Sequence, residues 1–579
     1  MHQEGLRTSR GFTLIETLIG LAVFAIISTG IFVGYRSVLD IIQSSQYNSS
    51  ALSIIESQIE LVRNMRYEDV GTEGGVPTGL LPQVQDIVVD EIPYELHTFV
   101  RNIDDPFDGV LGSEPNDTAP ADYKLVEFQI ICDVCPRYDL IRMSTYVAPK
   151  NLESSTKNGN LFVRVLDASG EPVAGATVHV TNPAAAINLT DSTNLNGELQ
   201  LVDIATGSAA YHIEVSKPGY SSDQTYPPGN PPNTTQPDAT VATQALTISS
   251  LRIDLVSELT VNVRDPFCAA PASLDFLMTG VRVIATEPDV PQYAQSHTIG
   301  ASGQLILDQL AWDTYTLEAT DTLMAIAGTA TNLSMIVDPD TTHEMTWLVA
   351  SRSPTVATIA VAAADGTPVD GATVRIAGGA YGRTRTTGQW SVTDTVWSEG
   401  SFTDRSEDVE IGGSITIASV DGQYASASQW LESRTIDLGT AGTTPQTLDW
   451  TATELSGTDV RFQIAANNDL ATWNYVGPDG TAATYFTALG QGLPVVVANN
   501  RYLRYRATLE TTDPDATPSV DDVTINFSSN CLVPGQAYFT ELQNTSYTLT
   551  VTKPGFADFS GEIDLLEAWQ RIEVTLQSP

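Results

Sequence analysis

From Phe12 to Val33 the chain is apolar at nearly every position, and between Arg10 and Arg36 it carries a single charge, Glu16. As a helix that stretch rises ~33 Å, enough to cross a bilayer. The short polar segment before it, "MHQEGLRTSRG", holds Arg7 and Arg10 and predicts a cytoplasmic N-terminus. No A-x-A-like site follows in "FVGYRSVLD", so the segment does not read as an ordinary cleaved secretory signal. A lone carboxylate in hydrocarbon is costly, which makes Glu16 a functional candidate. No proline occurs before Pro77, so one helix of ~80 Å is permitted from about Phe12 to Arg66. Its outer half turns amphipathic: Leu52, Ile55, Ile59 and Val62 fall at 3-4-3 spacing and predict a stripe packed under a globular head. Gly20, Gly30 and Gly34 weaken the helix locally and let neighbouring helices approach closely.

Beyond the helix the period changes to two. The turn-rich "MRYEDVGTEGGVPTGLLPQVQD" leads to "YELHTFVRNI", "KLVEFQII" and "LIRMSTYVAPK", which predict a small sheet ending near Lys150. After residue 155 the chain repeats itself. Gly170, Pro172, Val173, Gly175, Ala176, Thr177 and Val178 recur as Gly366, Pro368, Val369, Gly371, Ala372, Thr373 and Val374, all displaced by 196. Lys217, Pro218, Gly219 and Tyr220 recur as Lys553, Pro554, Gly555 and Phe556, displaced by 336, so 336 − 196 = 140 residues are inserted in the last unit. The insert enters after Gly388 and leaves before Gly535. A degenerate middle unit reads "SELTVNVRD", "TGVRVIATE" and "ASGQLILDQLAWDTYTLEAT". Short alternating strands broken by D-G, N-G and S-G turns predict small β-sandwiches throughout. Turn geometry alone explains the repeated glycines and prolines.

At 579 residues the chain exceeds one core, and ordinary domain sizes give about three to five. Lys and Arg total 28 against 70 Asp and Glu, a formal net charge of −42. That charge argues against nucleic acid or anionic headgroups as partners, since phosphate binding needs a basic stripe. Cys132 and Cys135 form C-x-x-C at a turn between two strands; with no second pair or histidine nearby, a disulfide staple fits better than zinc. Pairing of Cys268 with Cys531 rests on parity alone. The proline-rich loop "RNIDDPFDGVLGSEPNDTAPADYK" gathers Asp104, Asp105, Asp108, Asp117 and Asp122, either a solvated acidic loop or a set of oxygens for a hard cation such as calcium, though the spacing is not that of an EF-hand. The histidines, His2, His97, His179, His212, His297 and His343, are scattered; no H-E-x-x-H, G-x-S-x-G or P-loop occurs, and nothing predicts an enzyme or a required cofactor. Five of the eight tryptophans, Trp390, Trp397, Trp430, Trp450 and Trp473, fall in the insert, where they fill a core or stack on sugars.

Several of these segments resemble known families. The basic leader ending in Gly11, then Phe12, then "TLIE" with Glu16 at the fifth mature position, resembles the class III signal of type IV pilins and pseudopilins. The resemblance implies cleavage between Gly11 and Phe12 by a prepilin peptidase and N-methylation of the new amine. It also implies pairing of Glu16 with the Phe12 amine of an adjacent subunit in a filament. Major pseudopilins of type II secretion carry calcium in a loop comparable to the acidic one here. The pattern from D-x-x-G-x-P-V-x-G-A-T-V to K-P-G-Y/F resembles carboxypeptidase-regulatory-like domains, transthyretin-like sandwiches that are non-catalytic. "QWLESRTIDLG", "LDWTATE", "ATWNYVGPDG" and "LRYRATLETTDPDATPSVDDVTINF" resemble galactose-binding-like jelly rolls.

The fold implied is multidomain: a long N-terminal transmembrane α-helix with an α+β pilin-like head, then all-β sandwich domains and an inserted β jelly roll. The leader would span 1–11, the helix 12–66, the head 67–150, and the sandwiches 156–256, 257–350 and the split pair 354–389 with 531–579, around an insert at 390–530. The function implied is that of a minor pilin or pseudopilin joining a type IV pilus-like filament for adhesion or tip assembly. Its partners would be other pilin subunits, the prepilin peptidase, an inner-membrane assembly platform and the membrane itself, with glycans or a host or cell surface beyond. It would sit single-pass in the cytoplasmic membrane before assembly and on the cell surface after it. Two other readings stay open: a type II-like secretion pseudopilus binding cargo, and a static membrane-anchored glycan-binding protein with an unprocessed N-terminus.

Overall fold

A computed structural model describes residues 14–578, apart from 108, 111–113, 115, 116, 118, 137, 139, 150–156, 331, 332, 352–355, 380, 396, 440–442, 567 and 568. The chain divides into two compact units, Met1–Leu255 with Ile284–Val290, and Val256–Val283 with Pro291–Pro579. One long helix opens the first unit, and everything after its short connector is β-structure.

In the first unit, α1 runs from Leu14 to Asn64 without a break, as the absence of proline permits. It leads into a four-stranded antiparallel meander, β1 (Val84–Val89), β2 (Ile92–Ile103), β3 (Tyr123–Ile131) and β4 (Ile141–Val147). The last turns of α1 bury Ala51, Ile54, Ile55, Ile59 and Val62 in one core with Leu96, Val100, Val126, Phe128 and Ile130. The expected stripe is thus offset at its start, because Leu52 is 40% exposed and Ala51 takes its place. At 3.6 residues per turn, the face set by Ile55, Ile59 and Val62 leans toward Ala51 and Ile54 and away from Leu52. Cys132 and Cys135, just past β3, are joined by a disulfide inside this core.

A sandwich follows in the same unit. One sheet has Leu246–Arg252 parallel to Gly159–Leu166, which pairs in turn with Glu198–Ile204. The other sets Thr177–Asn182 between Gly207–Ser216 and Ile187–Ser192. Alternating residues point inward, so Leu161, Val163 and Val165 meet Val178, Val180, Ile213 and Val215. The head is fastened to this sandwich by polar contacts. Arg101 Nε donates to Asp191 Oδ2 at 2.7 Å, Asn102 Nδ2 to the Val202 carbonyl at 2.9 Å, and Gln83 Nε2 to the Asn188 carbonyl at 2.7 Å.

The second unit contains two sandwiches with related strand orders, the first carrying one extra strand, Met324–Thr329, at the edge of its first sheet. In one, Ser257–Arg264 lies parallel to Thr342–Ser351; in the other, Val356–Ala363 lies parallel to Trp569–Leu576. The middle unit's second strand is Leu274–Gly280, not the expected "TGVRVIATE". Leu274, Phe276 and Met278 supply the inward alternation there, whereas Val281 is 63% exposed and Val283–Ala285 pairs in a separate two-stranded ribbon with Val290–Pro291.

The other sandwich is closed by Gln536–Phe539 and Ser546–Thr552, after a long interruption. At the root of that interruption, Gly388 N donates to the Gln536 carbonyl at 2.9 Å, so the inserted chain leaves and returns at one point. The insert forms two antiparallel sheets. One is centred on Ser519–Ser528 paired with Thr444–Thr453; the other on Tyr502–Thr511, between Thr458–Asn467 and Gln429–Ser433. Trp397, Phe462, Phe486, Tyr505 and Ile525 fill the space between them. Within this unit a disulfide joins Cys268 to Cys531, and Phe267 stacks on Phe527 at 4.9 Å.

Candidate functional site

The helix α1 is two things joined end to end. Past Tyr47 one face is packed on the head. From Leu14 to Ile42 every large apolar side chain is exposed, with Leu14 at 79%, Phe24 at 68% and Ile31 at 69%. Burying a side chain of this kind is worth roughly 1.5–3 kcal/mol, so this half cannot stand in water. The helix is long and apolar enough to cross a membrane.

Polar groups along this half are mostly closed within the helix. Thr17 Oγ1 donates to the Leu14 carbonyl and Thr29 Oγ1 to the Ala25 carbonyl, each at 2.8 Å. Glu16 stands in the first described turn with an exposed side chain, where a carboxylate also suits the helix dipole. A Cβ added to Gly20, Gly30 or Gly34 would meet nothing of this chain within 4 Å. Each glycine costs about 1 kcal/mol relative to alanine in a helix, and nothing inside the chain accounts for them. Gly11 and Phe12 lie outside the described residues.

The junction of α1 with the head turns on a residue that sequence reasoning passed over. Lys124, on β3, is 5% exposed and donates from Nζ to the carbonyls of Tyr67 at 2.8 Å and Val70 at 2.6 Å, with the Tyr67 ring 4.5 Å away. Burial lowers its pKa to about 8. The lysine thereby holds the short 3-10 turn Tyr67–Asp69 that follows the helix. Only its place among alternating strand residues was visible beforehand, and that pattern alone does not reveal an inward-pointing cation.

Of the acidic loop, Asp105 N donates to Asp122 Oδ2, Asp105 Oδ1 accepts from Phe107 N at 3.2 Å, and Asp117 Oδ1 accepts from Ala119 N at 2.8 Å. Asp108 lies outside the described residues. Among the described residues no group of three or more His, Cys, Asp or Glu side chains is placed to hold a metal ion.

The repeated motifs do structural work that the sequence hid in part. Gly197, Gly303 and Gly535, one in each related sandwich, all have positive φ, and a Cβ on each would press within 2.7 Å of a backbone carbonyl of the first strand. Lys217 and Lys553 of the K-P-G motifs donate to the carbonyls of Ala174 and Asp370, the residues just before Gly175 and Gly371. Thr193 and Thr387 bridge the same turn, accepting from Ala176 N and Ala372 N and donating to the carbonyls of Val173 and Val369. Their matching positions in the two repeats were the available signal.

Comparison with known proteins bears on both ends of this description. Residues 6–32 match the Prokaryotic N-terminal methylation motif, and residues 160–247 match the Carboxypeptidase regulatory-like domain. Neither is a catalytic family. No curated protein matches the chain. Among solved structures, the Bacillus anthracis TIE protein is 11% identical, with 79% of this chain and 59% of that one covered at a TM-score of 0.16. The shaft pilin SpaA from Lactobacillus rhamnosus GG is 11% identical, covering 33% of this chain and 98% of that one at 0.14. GBS52, the minor pilin of Streptococcus agalactiae, is 12% identical, covering 33% and 96% at 0.15. Scores this low carry no argument about function. What stands is a chain with a class III prepilin signal, a membrane-length apolar helix and a carboxypeptidase-regulatory-like sandwich.

Proposed function

We propose that this chain is a minor pilin or pseudopilin that enters a type IV pilus-like filament through α1 and displays its β-domains for adhesion or filament-tip assembly. The observation that carries the reading is the exposed apolar half of α1, with Glu16 as its only ionisable side chain from Leu14 to Gly34, a segment that largely falls inside the methylation motif at 6–32. A membrane alone accounts for the apolar surface. It does not account for the carboxylate or for three glycines with nothing of their own chain beside them. Neighbouring subunits account for all three, because bundled helices bring the amine of a processed Phe12 against Glu16 and pass closely at the glycines. More than 400 residues follow the head. A cargo of that bulk suits a tip or sparse position better than every subunit of a tight shaft.

Glu16→Ala tests the reading. The variant is expected in the membrane at normal abundance and absent from sheared filaments, by immunogold labelling of filaments and blotting of membranes. Normal incorporation would remove the charge-pairing account, and a protein confined to the membrane even as wild type would leave a static anchor.

A further inference from the structure

We propose that the surface of the insert around Arg504 and Trp473 binds an acidic polysaccharide through its carboxylates, with Arg504 as the principal contact. The inference rests on the reading that the insert is displayed outside the cell, and it adds the ligand class.

Charge distribution makes this face unusual. Residues 390–530 contain 19 Asp and Glu, no lysine and only six arginines. Three of the six stand on one face. In Tyr502–Thr511 the core takes Leu503, Tyr505 and Ala507, so Arg504 and Arg506 face away from it; in Thr458–Asn467 the core takes Val460 and Phe462, so Arg461 does the same. The register brings them together, with Arg461 opposite Thr508, and Arg506 between Gln463 and Glu432.

Each guanidinium is laid on an aromatic ring. Arg504 lies 4.0 Å from the Trp473 centroid, Arg506 lies 4.1 Å from that of Tyr475, and Arg461 lies 4.6 Å from that of Tyr485. Stacking fixes the plane of the fork and leaves its edge for in-plane acceptors. Arg506 uses that edge on Glu432, and Arg461 on Glu510. Arg504 differs. Its Nε donates to Thr435 Oγ1 at 2.8 Å, and among the described residues no carboxylate pairs with it. Four of its five N–H donors thus remain for a ligand, in the geometry that takes a carboxylate with two parallel bonds.

Charge complementarity selects the occupant. With Arg461 and Arg506 already paired to Glu510 and Glu432, the Arg504 guanidinium is the unneutralised charge here, and in a domain otherwise acidic it draws an anionic group to one place. Gln463 and Tyr475 are buried under the 473–486 segment, Gln463 Nε2 donating to the Ala482 and Thr484 carbonyls, so what this place offers a ligand is the Arg504 fork beside the Trp473 ring. Rings beside fixed hydrogen-bond donors suit sugar rings that bear carboxylates.

The test uses the full-length chain in detergent micelles, with immobilised polygalacturonate as probe, uncharged dextran as control, and dextran sulfate to separate carboxylate from sulfate recognition. Wild type is expected to bind polygalacturonate in a salt-sensitive manner and to ignore dextran. Arg504→Gln should weaken binding at least about tenfold with an unchanged melting temperature, since it removes a charged bidentate contact. Arg504→Lys, which keeps charge and stem, should fall between the two and serves if the glutamine variant misfolds. Absence of polygalacturonate binding, preference for dextran sulfate, equal binding of dextran, or an Arg504→Lys and Arg504→Gln pair that binds like wild type would each overturn the proposal. None of these outcomes depends on filament assembly.

Discussion

Glu16 and Lys124 are both charges in apolar company, and they meet opposite fates. Glu16 lies on an exposed apolar surface, and its partner on the proposed reading is another subunit. Lys124 is enclosed by its own chain, between two carbonyls and a tyrosine ring. Its folded pKa of about 8 lies below the ordinary lysine value of 10.5, so between those pH values the unfolded chain binds more protons than the folded one. Stability of the head therefore rises as pH increases from about 8 toward 10.5. Chemical denaturation of wild type across that window should show the rise, and Lys124→Met should flatten it. A wild-type profile as flat as the variant's would contradict the assigned burial. Sequence reasoning singled out the first charge because it interrupts a long apolar run. It missed the second because one lysine among alternating strand residues looks like any solvent-facing position.

At the scale of elements, turn chemistry made the repeats legible and packing decided the rest. Gly170, Pro172 and Gly175 announced a turn and a following strand, because few other residues fit such backbone. In the middle unit these signals have decayed, and the strand lies at Leu274–Gly280, upstream of most of the "TGVRVIATE" segment expected from the sequence. The helix stripe slipped for a related reason: Ala51 contributes too little hydrophobicity to stand out, yet its small side chain is fully buried. The fastening of head to sandwich was not readable at all. Arg101 and Asp191 lie 90 residues apart in sequence and meet only through the fold. Asp191 is 3% exposed in this pair, so Asp191→Ala leaves a partly buried guanidinium uncompensated and should cost about 2–4 kcal/mol in denaturant melts. A loss under about 0.5 kcal/mol would mean that the contact is incidental.

For the whole molecule, the sequence-level outline of a long apolar helix followed by β-domains holds, while the pairing of the distant cysteines could be guessed only from parity. The structure joins Cys268 and Cys531 across a separation of 263 residues, beside the Phe267–Phe527 stack. A cross-link closing so long a loop stabilises by roughly 2–5 kcal/mol. A double Cys268→Ser, Cys531→Ser variant should accordingly melt several degrees lower by calorimetry, and reductant should reproduce the shift in wild type. Identical melting of the double variant and wild type would show that packing holds this junction without the bond.

The central claim is that the apolar helix belongs to a processed, polymerising subunit, and intact-mass spectrometry of the native protein tests it most directly. The account predicts a polypeptide that begins at Phe12 and carries one extra methyl group on its amine. A native chain that still begins at Met1 would contradict it.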